Sequence, residues 1–162
     1  MKPGPLILLK IFWQMVVNLT STCSSAHKLE GHRFRRNEPD DWKIGAGPGL
    51  VHFAEGELLF FLKTEEAAER ANSVGNKFTK LAPSLFLCMI ETFHRGVALY
   101  MMARATKKRR YKTNATKIRT IIKKWLEAGN PNVEHCGLLL DAEDAALNRC
   151  FANAEKLYVE AI

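Results

Sequence analysis

No apolar run in this 162-residue chain reaches the roughly 20 residues that a membrane span needs. The most apolar stretch, residues 4–19, is interrupted by Lys10 and Gln14. Metal and redox spacing is missing as well. The four cysteines, Cys23, Cys88, Cys136 and Cys150, include no C-x-x-C pair, the spacing of zinc and dithiol sites. Four so widely scattered make no disulfide framework. They read as reduced thiols, which behave as small hydrophobes in helices. The chain has no G-x-x-x-x-G-K-[ST] run, no phospho-acceptor histidine motif and no metal-binding carboxylate cluster. Gly45, Gly47 and Gly49 follow no buried strand and lack the G-x-G-x-x-G spacing, so no nucleotide loop is expected there. Glu91 and His94 stand three apart, as in a di-iron bundle, but the second such motif is missing. These gaps point away from an enzyme and imply neither cofactor nor metal.

What remains is globular in composition: 47% hydrophobic and 25% charged, too apolar for a disordered chain. The length suits one domain or a short array. The net charge of +7 is concentrated in one place. Residues 104–124 hold ten of the 24 basic residues and none of the 17 acidic ones, which leaves 14 against 17 elsewhere. Its sharpest part is Lys107, Lys108, Arg109 and Arg110, with Lys112 nearby. Such a patch can serve as a nuclear import signal or as an RNA or phosphoinositide contact. It can equally be a solvated inter-helix loop paired with acidic surface elsewhere. Tyr111 is its only aromatic, which is poor for stacking bases.

Periodicity predicts helices throughout. In residues 1–19, Lys10, Gln14 and Asn18 are spaced by four and form a narrow polar stripe, expected as the wet edge of a packed helix. A secretory signal cleaved near Ala26 is the alternative, and only secretion would give the sequons at Asn18 and Asn114 meaning. Residues 20–49 read as loop or linker. Leu50 to Leu62 is a helix whose Gly56 suggests a close crossing. Thr64 can cap the next helix, which stops at Gly75. Pro83 opens the longest helix, reaching about Ala105, with Gly96 on its buried side. Thr113 or Asn114 caps another, and Gly129-Asn130-Pro131 ends it. Of the last two helices, the first carries Leu138, Leu139, Ala142, Ala145 and Ala146 on one face. The second has a single stripe of Phe151, Ala154, Leu157, Tyr158, Ala161 and Ile162. Asp141, Glu143 and Asp144 are expected on a solvated surface.

The expected fold is therefore all-α, with about seven helices. Residues 1–19 form an apolar helix, 20–49 a linker, and 50–162 three degenerate hairpins: 50–62 with 64–75, 83–105 with 114–128, and 132–148 with 150–162. Ala142, Ala154, Tyr158 and Ala161 fit the tetratricopeptide pattern, and Phe151 fits its opening aromatic. Gly56, Gly96 and Ala142 are 40 and 46 apart, longer than the usual repeat of about 34. The reading is a short tetratricopeptide-like α-solenoid. Neither end carries a polar capping helix, so the chain is expected to continue beyond Ile162 in a longer protein.

Three segments are more specific: FHRGVALYMMAR (Phe93 to Arg104), WLEAGNPNVEH (Trp125 to His135) and LLLDAEDAAL…A…LYVEAI (Leu138 to Ile162). They resemble the helical region of large signalling ATPases. Those proteins combine a kinase-like part, an AAA or STAND ATPase module, helical repeats, and often a sensor with a histidine kinase or cyclase. The resemblance covers most of Leu50 to Ile162 and, more weakly, the first helix. It implies a non-catalytic scaffold that contacts protein or other domains of its parent chain, in the cytoplasm or else the nucleus. The family's catalytic activities are not carried over. The alternative reading is nucleic-acid or anionic-lipid binding through residues 104–124.

Overall fold

The structure, a computed structural model, describes residues 5–35, 43, 47–74 and 86–162. Among these the regular structure is entirely helical. The helices are α1 (Pro5–Leu19), α2 (Gly47–Leu62), α3 (Thr64–Val74), α4 (Leu87–Thr106), α5 (Arg109–Glu127), α6 (Glu134–Leu147) and α7 (Phe151–Glu160). A 3-10 turn, Pro131–Val133, precedes α6. The all-α expectation thus holds, with seven helices among the described residues and no strand. The stop expected at Gly75 and the start expected at Pro83 lie outside them. The chain divides into two compact units, Met1–Glu91 and Thr92–Ile162.

In the first unit α1 packs on α2, and α2 on α3. Ile11, Leu50, Val51, Ala54 and Leu58 form the core, with Leu29 and Phe34 added from the segment after α1. Phe12 meets Phe53 edge-on, with ring centroids 6.3 Å apart. The polar stripe of α1 is not the wet edge that its spacing suggested. Gln14 and Asn18 are only 3% and 5% exposed. The Gln14 amide donates to Asn18 Oδ1 at 2.6 Å, and the Asn18 amide donates to the carbonyls of Ala26 and Lys28 at 2.8 and 2.5 Å. Gln14 Oε1 accepts from the backbone N–H groups of Arg33 and Phe34 at 2.9 and 3.3 Å. Residues 21–34 form no helix, so their backbone groups need partners elsewhere. Two amide side chains supply them, and so pin the segment to α1.

Two local expectations in this unit need correction. A Cβ added at Gly56 would meet nothing within 4 Å, so no close crossing explains that glycine. Thr64 does not cap α3: its hydroxyl donates back to the Phe60 carbonyl at 3.2 Å. Arg70 ties α3 to α2 instead, through Glu55 Oε2 at 3.2 Å and the His52 carbonyl at 3.1 Å.

In the second unit α5 packs on α6, and α6 on α7. Gly96 of α4 does sit at a close approach. A Cβ there would come within 2.9 Å of Ile118 Cγ2 on α5 and 3.1 Å of Leu140 Cδ2 on α6. Leu99, Tyr100, Ile122, Val133, Leu140 and Ala142 are fully buried in this unit. Asn130 caps the 3-10 turn by accepting from the Asn132 N–H, and Gly129 takes φ +85°, as the Gly-Asn-Pro stop implied. The acidic residues of α6 are not a solvated face. Asp141 pairs with Arg119 and Lys123, Asp144 with Arg119, and Glu143 with Arg104. Tyr100 donates to Asp144 Oδ1 at 3.2 Å, and Tyr158 to Glu143 Oε1 at 2.7 Å. The apolar residues of α7 also divide differently. Ala154 is buried and Leu157 and Tyr158 are half-buried, whereas Phe151 and Val159 are 68% and 70% exposed.

Candidate functional site

The basic cluster lies where α4 hands over to α5, and α5 begins earlier than Thr113 or Asn114. Its first residue is Arg109, after an N-cap Lys108 with extended backbone and no side-chain cap bond. Lys107 bridges the two helices at φ +58°. The α4 end is closed locally: Lys107 N–H donates to the Ala103 carbonyl, and the Thr106 hydroxyl donates to that of Met102 at 2.7 Å. The run read as a loop is therefore a two-residue turn and the first turn of a helix. Its residues gain a fixed geometry that a loop would not give them.

That geometry makes a groove of about 260 Å³, lined by Ala103, Lys107, Lys108, Arg109, Lys112 and Leu147. Four of the five cations singled out in the sequence thus converge. The fifth, Arg110, lies with its guanidinium 4.8 Å from the Tyr111 ring centroid and donates to the Tyr111 hydroxyl at 3.0 Å. Tyr111 itself is 1% exposed, so it offers no stacking surface. Lys112 Nζ donates to Asn148 Oδ1 at 2.7 Å, and Asn148 in turn donates to Asp144 Oδ2 at 3.2 Å. The apolar floor, Ala103 and Leu147, comes from two other helices. Leu147 lies off the main face of α6 in the sequence pattern, and that displacement was the one signal that it serves a different surface.

The rest of segment 104–124 does other work. Arg104, Arg119 and Lys123 are engaged by the carboxylates of α6. Burial acts against the Arg119 charge, yet its hydrogen bond to Asp141 and the charges of Asp141 and Asp144 prevail and raise its pKa. Tyr100 is pushed above its usual range by burial and by the Asp144 charge. These groups form a structural lattice, with positions fixed by mutual pairing.

Two other concavities have a mixed lining. One of about 400 Å³ in the first unit is lined by His27, Glu30, Glu55, Glu66 and Arg70 among others. One of about 370 Å³ lies over Arg119, Asp141, Asp144 and Asn148. In both, carboxylates and cations are mixed, and several are already paired. No group of three or more His, Cys, Asp or Glu among the described residues has the arrangement to hold a metal ion. Gly47 and Gly49 are buried in the first turn of α2, while Gly45 lies outside the described residues. No described helix is long and apolar enough to cross a membrane. No family model, curated protein or solved structure matches this chain.

Proposed function

We propose that this chain is a non-catalytic helical-repeat scaffold that makes protein–protein or interdomain contacts within a larger signal-transduction ATPase. The observation that carries the reading is the apolar surface that α7 leaves exposed after packing on α6. One side is held against α6 by Ala154, Leu157 and Tyr158, while Phe151, at the start of that same stripe, and Val159, away from it, stay exposed. A helix that packs through a small residue and leaves further apolar residues exposed is what stacked hairpins, each burying the face of its neighbour, would require. The small residues at Gly96, Ala142 and Ala154 support the same reading, as does the resemblance of Phe93–Arg104 and Trp125–His135 to the helical region of signalling ATPases.

The test is a titration of the full chain against the purified helical-repeat region of such an ATPase, followed by calorimetry. Micromolar binding is expected, falling at least tenfold in a Phe151→Ser/Val159→Ser variant with unchanged helicity. Binding that ignores this variant, or ATP turnover by the chain itself, would overturn the proposal.

A further inference from the structure

The groove between α4, α5 and the end of α6 serves a purpose separate from the scaffold reading. We propose that it is a binding site for a ligand bearing clustered phosphates, of the size and chemistry of a phosphorylated inositol headgroup. Lys107, Lys108, Arg109 and Lys112 bring four cations to its wall, and none of its lining residues is acidic. This contrasts with Arg104, Arg119 and Lys123 of the same basic segment, which carboxylates of α6 neutralise. The fold has thus sorted the ten cations of residues 104–124. Some are matched with acids, and a separate group is gathered around a shared concavity.

The ligand class follows from size and from what is missing. Drug-sized ligands fill pockets of about 300–1,000 Å³, so a groove of about 260 Å³ suits a headgroup. Several cations around one small volume favour an anion with several charges close together over a single carboxylate. A nucleic acid is a poorer match. Single-strand binders stack bases on exposed aromatics, and the one aromatic of the cluster, Tyr111, is buried. The wall also comes from separate elements: the α4–α5 turn, the first turn of α5, and Leu147 at the end of α6. Lys112 is steadied by Asn148, so part of the wall is set before any ligand arrives.

The experiment titrates the full chain with soluble inositol trisphosphate, with inorganic phosphate, with an RNA oligonucleotide, and with vesicles containing either phosphatidylinositol bisphosphate or phosphatidylserine. A groove variant, Lys107→Gln/Lys108→Gln/Arg109→Gln, is set against a control of equal charge change, Lys117→Gln/Lys124→Gln/Lys156→Gln. The expected result is trisphosphate binding at least tenfold tighter than inorganic phosphate. It falls at least tenfold in the groove variant and stays within twofold in the control. If phosphoinositide vesicles also bind and the soluble trisphosphate competes, a membrane headgroup is the source. If only the soluble compound binds, a free inositol phosphate is. Equal losses in both variants, equal binding to the two vesicle types, or tighter binding to RNA would overturn the assignment. Should the groove variant unfold, wild-type thermal midpoints decide. A rise with trisphosphate that an equal ionic strength of sodium chloride does not reproduce supports the site, and no rise refutes it.

Discussion

Two basic residues occupy backbone positions that glycine usually takes. Lys107 and Arg149 adopt φ +58° and +64°, and each ends a helix. The left-handed region costs a side-chain-bearing residue about 1–2 kcal/mol. Arg149→Gly should therefore raise stability by roughly 0.5–1 kcal/mol in a urea titration, after the added freedom of the unfolded glycine is deducted. Lys108 stands at the N-cap of α5 with no capping bond. Lys108→Ser should gain about 1 kcal/mol, and it also removes a groove cation. An unchanged urea midpoint would contradict either expectation. These positions explain why the sequence misplaced the start of α5. Turns are read from Gly, Pro, Asn and Asp, and a turn built on lysines resembles the helices on either side. The α5–α6 turn, which does contain Gly129, was legible at once. Cysteine chemistry belongs to this scale too. The Ser25 hydroxyl lies 3.1 Å from Cys23 Sγ and lowers the pKa of that exposed thiol, while burial pushes Cys136 up to about 11. Iodoacetamide at neutral pH should label Cys23 well before Cys136, and Ser25→Ala should slow the labelling of Cys23. Early labelling of Cys136 would contradict the packing of α6.

Among the helices, the two mid-helix glycines separate cleanly. Both looked like crossing points in the sequence, because a glycine inside an apolar pattern gives the same signal whatever lies opposite. Opposite Gly96 are Ile118 and Leu140 at 2.9 and 3.1 Å from a built Cβ; opposite Gly56 there is open space. Gly56→Ala should stabilise by about 1 kcal/mol through helix propensity alone. Gly96→Ala gains the same propensity but forces a stiff β-branched side chain aside. With overpacking at roughly 1–3 kcal/mol, its net effect should be destabilising. Thermal midpoints that move in the same direction for both would refute the distinction. The stripe on α1 gave the converse difficulty. Spacing by four located Gln14 and Asn18 on one edge but could not show that residues 21–34 would cover it. Polar residues on a helix mean water only where no other chain segment comes to claim the hydrogen bonds. The α6 carboxylates teach the same lesson. Asp141, Glu143 and Asp144 scatter around one helix, yet three packed neighbours, α4, α5 and α7, each supply a partner.

Across the molecule, the uneven charge foreseen in the sequence is resolved into pairs and a groove, and this division was not legible because it depends on which helices meet. Buried acidic groups bear on the stability of the fold at alkaline pH. Tyr100, Tyr158 and Cys136 all have raised pKa values, chiefly from burial. A group whose pKa rises on folding lends its stability fully below its unfolded value and loses it as pH climbs through the folded one. For Cys136 that window runs from its ordinary 9.0 to about 11. Urea midpoints should hold near pH 8 and decline from pH 9 to 11, and a flat profile would contradict the burial of these groups. The amide clasp on α1 carries a kinetic consequence as well. Lys28, Arg33 and Arg35 are exposed trypsin targets, but the Lys28 carbonyl and the Arg33 N–H are held by Asn18 and Gln14. A protease must draw its substrate into an extended strand, so scission at Lys28 and Arg33 has to wait until the clasp lets go. The digestion rate at these two bonds is therefore a stopwatch for that release, and Gln14→Ala should make it run fast.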